Sequence, residues 1–333
     1  MLKRTKVSAI ASAALLIVGC GADVAQQQPQ ASTTSEALET SNGSSMNGSS
    51  MNGSSMNGSS MNGVSMNGVS MNGVSMNGSS MNGVSMNGSQ LVGVDARGRQ
   101  LLGEGMVGAR FVGQRSDGGT VPLRVDSATT GAGSNSDVWF YGVSYQNSAG
   151  WQPLCGLDAT TGKPVLAVAV LGTWDSRQGV PGGGSYTYSA DTISFGCHAM
   201  GAIAKCVELG YKPWKDAPDG SGSLRQHHVA CTRLIRADYC GDGQSHTING
   251  RLIDVFDGVG VQSPSRDGLL ALWLLEGEWS PDGARCISPL INDRYVKANL
   301  SVPKCLLSLI SLTCGAKAHF AAGPVIMNRD KLY

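Results

Sequence analysis

The sequence predicts an α+β domain that is stabilised by disulfides and preceded by a short five-residue-period β-solenoid or a flexible linker. Eight cysteines follow residue 20 in a chain that opens with an export-type pattern. A five-residue repeat fills much of the chain before the first of these cysteines. Beyond the repeat, stretches typical of strands and of helices occur without a regular βαβ order, which favours α+β.

The first 20 residues predict export and attachment to a membrane. A signal peptide over residues 1–19 places basic residues before an apolar stretch at 9–18, about half of the ~20 residues that a spanning helix needs. Ile17-Val18-Gly19-Cys20 resembles a lipobox, which implies cleavage before Cys20 and lipid on that cysteine. Gly21 follows instead of Asp, which among Gram-negative lipoproteins implies the outer membrane. An ordinary secretory signal with a chance cysteine is the alternative.

The charge of the chain argues against a nucleic-acid partner. Its 333 residues include 25 Lys and Arg against 24 Asp and Glu, a formal net charge of +1. Binding to a phosphate backbone requires a basic stripe, and the sequence shows none. We therefore expect partners in the cell envelope: the membrane through lipid on Cys20, and an envelope protein or a glycan.

Two low-complexity segments separate the signal from the rest of the chain. Residues 20–40 are polar and predict a flexible tether. Residues 41–114 carry glycine at every fifth position from Gly43 to Gly113, with a mainly apolar residue two positions earlier. The pattern resembles pentapeptide-repeat β-solenoids, whose coils would stack residues 20 apart, such as Met86 and Met106. A disordered glycine-rich linker is the alternative.

Residues 115–333 hold all the later cysteines and predict one globular domain. β-branched and aromatic residues between turn residues indicate strands, and apolar residues at helical spacing indicate helices. The last apolar stretch ends at a Ser-Pro-Asp-Gly turn, although its length also allows a helix. The predicted strands cover 121–125, 137–146, 164–171, 247–255 and 269–279, and the predicted helices cover 197–209 and 223–239.

The cysteines predict disulfides, because an even set in an exported chain is normally paired. A zinc site is the alternative, but the C-x-x-C spacing that marks one is absent. Sequence alone does not select the pairing, although the apolar faces of the two predicted helices suggest a bridge between Cys206 and Cys231. The candidates are Cys155, Cys197, Cys206, Cys231, Cys240, Cys286, Cys305 and Cys314.

Three short motifs of the cysteine-rich region resemble those of a known family. The run Ala237-Asp238-Tyr239-Cys240 carries the four letters that give the ADYC domain, a cysteine-rich module of exported bacterial proteins, its name. Gly-Tyr-Lys-Pro at 210–213 and Trp-Ser-Pro-Asp-Gly-Ala-Arg-Cys at 279–286 are also similar to the family. The resemblance covers roughly residues 115–330. It implies an exported location and a related fold, and because the family has no assigned activity it implies no catalytic residue.

Three histidines and an aspartate near this motif are the candidate chemical groups. His227, His228 and His246 flank Asp238 in the sequence, and such groups can form an acid–base pair or a metal site. The alternative, which we favour, is that Asp238 forms a cap or pairs with Arg233 or Arg236 while the histidines pack in the interior.

The sequence therefore predicts a membrane-anchored module outside the cytoplasm that binds or supports another envelope component without catalysis. The alternative is an extracytoplasmic hydrolase with its site around His227, His228, Asp238 and His246. No metal or cofactor is predicted. The acidic residues near position 250 lack the alternating pattern of a calcium loop, and the methionines of the repeat have no His or Cys beside them.

Overall fold

The computed structural model describes residues 56–57, 65–76, 79–81, 84–95, 97–114, 120–198, 201–247, 252–265, 273–289, 294 and 302–331. Cys20, the signal peptide and the tether lie outside the described residues. Their assignments therefore remain predictions, as does the division of the chain at residues 19, 40 and 114.

Strands dominate the described residues, which contain eighteen strands and three short α-helices. The strands are β1 (Met56–Asn57), β2 (Ser65–Met76), β3 (Ser79–Met81), β4 (Val84–Asn87), β5 (Gln90–Val94), β6 (Gln100–Leu102), β7 (Ala109–Gln114), β8 (Thr120–Thr130), β9 (Trp139–Asn147), β10 (Gly150–Pro153), β11 (Ala167–Leu171), β12 (Thr173–Trp174), β13 (Tyr186–Thr187), β14 (Thr192–Cys197), β15 (Leu252–Asp257), β16 (Trp273–Ser280), β17 (Gly283–Ile287) and β18 (Ile326–Lys331). The α-helices are α1 (Ala202–Glu208), α2 (Arg225–Arg236) and α3 (Leu306–Leu309). Single 3₁₀ turns occupy Gly103–Met106, Gly133–Asn135 and Lys317–Ala322.

The predicted α+β class is wrong, because the fold is mostly antiparallel β-sheet. The two predicted helices exist but are short, while the repeat, for which the sequence predicts a solenoid or a linker, contributes strands to three sheets. The fold contains more strand than the sequence predicted because each strand of the repeat pairs with a strand elsewhere in the chain. A local sequence pattern does not reveal such pairing.

Six antiparallel strands form a closed ring around an apolar core. Going round the ring, β9 pairs with β11, β11 with β14, β14 with β2, β2 with β7, β7 with β8, and β8 again with β9. The core between them includes Leu91, Phe111, Leu123, Tyr141 and Phe195. Because the ring closes, its strands pair on both sides and expose few free backbone groups.

The described residues of the repeat do not form the predicted solenoid. A solenoid stacks its coils in parallel, whereas β2 pairs antiparallel with β14 and β7, and β4, β5 and β6 form an antiparallel three-stranded sheet. Gly88 and Gly98 have φ angles of 64° and 77° at the turns between these strands, so the chain reverses instead of coiling. Leu91, Met106 and Phe111, at the apolar position of the repeat, are buried in the ring core.

A second sheet of five antiparallel strands has the order β1-β15-β18-β16-β17. Helix α2 packs on β16, β17 and β18. Helix α1 lies between the two sheets: Ile203 and Val207 pack with residues of β9 and β11, while Ala202 and Cys206 belong to the cluster that α2 forms with the second sheet. These two helices position the candidate site described below.

Several predicted elements are found close to their expected places. The predicted strands at 121–125, 137–146 and 164–171 lie in β8, β9 and β11. The stretch 269–279 ends in strand β16, which pairs with β17 across the predicted turn, so the helix alternative is excluded for the described part. Of the predicted strand at 247–255, residues 252–255 lie in β15, and residues 248–251 lie outside the described residues.

All eight candidate cysteines are paired, which confirms the disulfide prediction. The bridges are Cys155–Cys197, Cys206–Cys231, Cys240–Cys305 and Cys286–Cys314. Cys206–Cys231 joins α1 to α2, as the apolar faces of the helices suggested. The last two bridges fasten the segment around α3 to the end of α2 and to β17.

Candidate functional site

An open cleft of about 560 Å³ lies at the first turn of α2. Three segments line it: residues 219–227, the turn after β15 at 258–259, and residues 320–325. Phe320 supplies aromatic surface at one side. The hydrogen-bonding side chains of the cleft are Asp219, Ser221, Ser223, Gln226 and His227.

A tight reversal brings these polar residues to the start of α2. The chain folds back on itself between residues 216 and 223. The Asp219 carboxylate accepts the Ser221 N–H at 2.9 Å, and the Ser223 hydroxyl accepts the Arg225 N–H at 3.2 Å. Ser223 thereby binds an N–H group that the first turn of a helix leaves unsatisfied, and this fixes the start of α2 beside the cleft.

The opposite wall is shaped by a carboxylate that does not face the cleft. Asp257 accepts three backbone N–H groups of residues 259–261 at 2.7–3.2 Å and the Tyr211 hydroxyl at 2.8 Å. The resulting turn brings Gly258 against Phe320, where a Cβ on residue 258 would lie 2.5 Å from the Phe320 Cβ. The Phe320 ring also packs edge-on against Phe256. Phe320 is therefore held firmly at the cleft.

His227 is the predicted candidate that lines this cleft. Its side chain is only 8% exposed, and its Nδ1 has no hydrogen-bond partner among the described residues. Burial lowers the pKa of His227, so its imidazole is neutral at pH 7. Hydrogen bonds from Ser221 lower the pKa of Asp219, which is the only charged residue of the lining. The cleft thus combines one carboxylate with neutral hydrogen-bonding groups.

The other two histidines are buried in separate surroundings. The His228 Nδ1 is 2.7 Å from the Tyr211 carbonyl oxygen, and its ring packs edge-on against Trp174 at 5.7 Å. Burial lowers the pKa of His228 to about 4. His246 packs against the ring of Tyr239 at 5.7 Å. The structure does not bring these histidines together at the cleft.

The Asp238 carboxylate forms an ion pair and backbone hydrogen bonds within the domain. It is fully buried and forms an ion pair with Arg233. Its carboxylate also accepts the N–H groups of Asp242 at 3.1 Å and Gly243 at 3.0 Å. Arg233 in turn donates to the Gly183 carbonyl at 2.7 Å. These contacts match the structural interpretation of Asp238 and leave it no part in an acid–base pair with His227.

The motif around Asp238 ends α2 and connects it to the second sheet. Ala237 takes the left-handed conformation, with φ 53°, that terminates the helix. Tyr239 donates from its hydroxyl to Glu276 of β16 at 2.5 Å. Cys240 forms the disulfide with Cys305. Each residue of the motif at 237–240 therefore makes a separate contribution to the structure.

The resemblance to known sequences extends far beyond that motif. A family model described as the ADYC domain matches residues 103–291, which is more than half of the chain. The chain belongs to the ADYC domain family. No curated protein and no solved structure matches the chain. The ADYC domain with its four disulfides indicates an extracytoplasmic, cysteine-rich module, in agreement with the sequence prediction.

Two further observations concern membranes and metals. In the part of the ADYC protein that the structure describes, no helix is long and apolar enough to cross a bilayer. One group of three potential metal ligands is present there: Glu278, Cys286 and Cys314. The two cysteines are joined to each other, and Glu278 is hydrogen-bonded to the Gly315 N–H and the His319 ring, both at 2.6 Å. These contacts give the group a structural role.

Sequence reasoning identified His227 but missed the rest of the cleft. Ser223 was identified only as the start of the predicted helix at 223–239, and Asp219 was not identified as a candidate. Phe320 comes from the far end of the chain, and no local pattern links it to α2. The signal that was available is the run Asp-Gly-Ser-Gly-Ser at 219–223 directly before a helix whose first turn contains Gln and His.

Proposed function

We propose that the protein is a lipid-anchored module of the bacterial cell envelope that binds a glycan in the cleft at the start of α2. The observation that carries this proposal is the lining of the cleft: hydroxyl, amide, imidazole and carboxylate groups beside the ring of Phe320. Such groups exchange hydrogen bonds with sugar hydroxyls, and the apolar face of a sugar ring packs on an aromatic side chain.

The charge of the cleft favours a neutral glycan. Asp219 is ionised and His227 is neutral at pH 7, so the lining carries a single negative charge. An anionic ligand would meet that carboxylate without a cation to balance it. A carboxylate and an amide, in Asp219 and Gln226, instead offer acceptors and donors for uncharged hydroxyl and acetamido groups.

The same charges support binding without hydrolysis. Glycoside hydrolysis requires a general acid and a second carboxylate or base at the scissile bond. Asp219 and His227 are the titratable groups of the lining, and both are unprotonated at pH 7. His228 and Asp238, which the hydrolase alternative needs, are fully buried in other contacts.

The anchor part of the proposal rests on the lipobox and on Gly21, which favours the outer membrane. Lipid on Cys20 would keep the ADYC domain at the envelope, where glycans are abundant. We expect the mature protein to enter the detergent phase in Triton X-114 partitioning, and the Cys20→Ala variant to lose the lipid mass of the wild type. Identical masses for the processed proteins would refute the anchor.

The glycan site can be tested by calorimetry with chitotetraose, a neutral N-acetylated oligosaccharide. We expect wild type to bind it, and Gln226→Ala and Phe320→Ala each to bind about tenfold more weakly, a loss of roughly 1.4 kcal/mol. Gln100→Ala, which removes an exposed glutamine far from the cleft in the sequence, is the matched control and should bind like wild type.

Three results would contradict the glycan proposal. The first is no heat of binding with chitotetraose. The second is equal binding by wild type and Gln226→Ala, since Gln226 is exposed and its loss should not affect folding. The third is release of shorter sugars during incubation, which would replace the binding module by the hydrolase.

A further inference from the structure

The segment around α3 exposes large apolar side chains to solvent. Leu307 is 90% exposed, Leu312 91%, Val302 63% and Ile310 47%. Leu307 and Leu312 are the two most exposed large hydrophobic residues in the described part of the chain. Contiguous exposed apolar residues of this kind mark interaction surfaces, because each one costs free energy in water.

The exposed residues are held outward by a rigid frame. Cys305 is bonded to Cys240, and Cys314 to Cys286, so both ends of the eight-residue stretch between Cys305 and Cys314 are fastened to the domain. Leu306 and Leu309 pack inward against the core of the second sheet. The Ser311 N–H donates to the Ile287 carbonyl at 3.1 Å. Leu307 and Leu312 therefore cannot turn inward without breaking this frame.

The charged residues that flank Leu307 and Leu312 indicate the kind of surface that these leucines bind. Residues 302–325 contain no Asp or Glu, while Lys304 and Lys317 are exposed on either side of the apolar residues. Exposed lysines on either side of exposed leucines in the chain match an anionic phospholipid surface, which attracts lysines at its head groups and accepts apolar side chains beneath them.

We propose that residues 302–317 form a membrane-docking loop, with Leu307 and Leu312 inserted into the lipid surface that holds the anchor. This inference rests on the lipid anchor of the proposed function. It adds a second contact that presses the ADYC domain onto the bilayer instead of leaving it at the end of a tether. One lipid chain alone binds reversibly, and two signals make binding stable.

The test uses the acylated protein in vesicles of phosphatidylethanolamine and phosphatidylglycerol. Flotation with the vesicles first reports the anchor. Tryptophan is then placed at the loop by Leu307→Trp, and its quenching by phospholipids brominated in their acyl chains is compared with that of Val107→Trp. Val107 is an exposed apolar residue of another segment, at 41% exposure, and serves as the matched control. We expect at least twofold stronger quenching of the loop variant.

A second measurement avoids the added tryptophan. The double variant Leu307→Ser with Leu312→Ser should transfer between vesicles much faster than wild type, roughly tenfold for each leucine removed from lipid. Leu102→Ser with Val112→Ser, at residues 44% and 42% exposed, is the control and should transfer like wild type.

The outcomes separate the two proposals. Flotation without preferential quenching of the loop variant leaves the anchor and overturns the docking loop. Preferential quenching of the loop variant in a protein that proves to carry no lipid supports the loop and refutes the anchor. A blue shift of the loop tryptophan in the absence of vesicles would assign the surface to protein association and would overturn lipid docking. Unchanged transfer of the double serine variant would also overturn it.

Discussion

The two sheets of this domain differ in the charged side chains that they bury. The core of the strand ring is apolar, with residues such as Leu123, Val125 and Phe195 fully buried. The described strands of the second sheet instead bury four carboxyl groups, and the described strands of the ring bury none. These carboxyl groups belong to Asp254, Glu276, Glu278 and Asp330.

The carboxyl groups of the second sheet have dedicated partners. Glu276 forms an ion pair with Arg294 at 3.0 Å, and Asp254 forms one with Arg329. Three of the four disulfides also involve α2 or the elements at the second sheet. The core of the ring is therefore apolar, whereas the second sheet combines an apolar cluster with buried charge pairs and covalent bridges.

The largest expected effect is that of Glu276→Gln in the second sheet. Arg294 is fully buried and also donates to the carbonyls of Leu234 at 2.5 Å and Ile235 at 3.0 Å. Removing the charge of Glu276 leaves a buried guanidinium without its ion-pair partner, so we expect a loss of about 3–5 kcal/mol in the free energy of unfolding. Urea unfolding measures it.

The control for this change is Glu104→Gln, at an exposed carboxyl in the 3₁₀ turn before β7, which should alter stability by no more than about 0.5 kcal/mol. Equal stability of Glu276→Gln and wild type would show that the ionic core of the second sheet contributes nothing and would remove the contrast between the two sheets.

The second largest effect is a pH dependence of the free energy of unfolding that arises from His228. The ring of this α2 residue packs against Trp174 of β12. Its pKa is about 4 when folded and about 6.5 when unfolded. The unfolded state therefore binds more protons between these values, and stability falls as the pH is lowered from 6.5 toward 4. The full difference is about 3 kcal/mol.

His198 changes the pH dependence of the free energy of unfolding in the opposite direction. Its hydrogen bond to Glu208 raises its pKa, so its contribution is present at low pH and is lost as the pH rises through the raised value. The test therefore compares urea unfolding of wild type and His228→Asn at pH 7 and pH 5, with His198 retained in both. Parallel pH profiles would contradict the assignment to His228.

The smallest predicted effect is that of Tyr141→Phe in the ring. The Tyr141 hydroxyl accepts the Leu91 N–H at 2.8 Å, and both residues are fully buried. The substitution leaves that N–H group without an acceptor, which costs about 1–3 kcal/mol. Thermal unfolding checks it, with the exposed Tyr188→Phe as the control. A larger loss than for Glu276→Gln would reverse the proposed ranking of the two sheets.

Differences in local composition explain which strands the sequence predicted and which it did not. The strands β8, β9 and β11 are rich in β-branched and aromatic residues, and this composition predicts strands. The repeat is a different case. Its Met-Asn-Gly units have weak strand propensity, and they become strands because β7 and β14 offer pairing partners. Pairing over such distances leaves no trace in a local pattern.

The candidate site was predictable only in its local part. His227 stands in the first turn of a recognisable helix, so a sequence can mark it. Its partners in the cleft, Asp219 and Phe320, come together only when the turn at Asp257 and the last segment of the chain are in place. The structural role of Asp238 was predictable, because an arginine one turn earlier on the same helix end is a local feature.

Strand β2 consists of near-identical five-residue units placed between two partner strands. Hydrogen-bonded and non-hydrogen-bonded positions alternate along an antiparallel strand with a period of two, so gain or loss of one five-residue unit shifts the backbone pairing by an odd number of residues, whereas gain or loss of two units restores it. Tandem coding repeats vary in number through replication slippage. Alleles of this chain that keep the ring intact should therefore differ in length by pairs of units rather than by single ones.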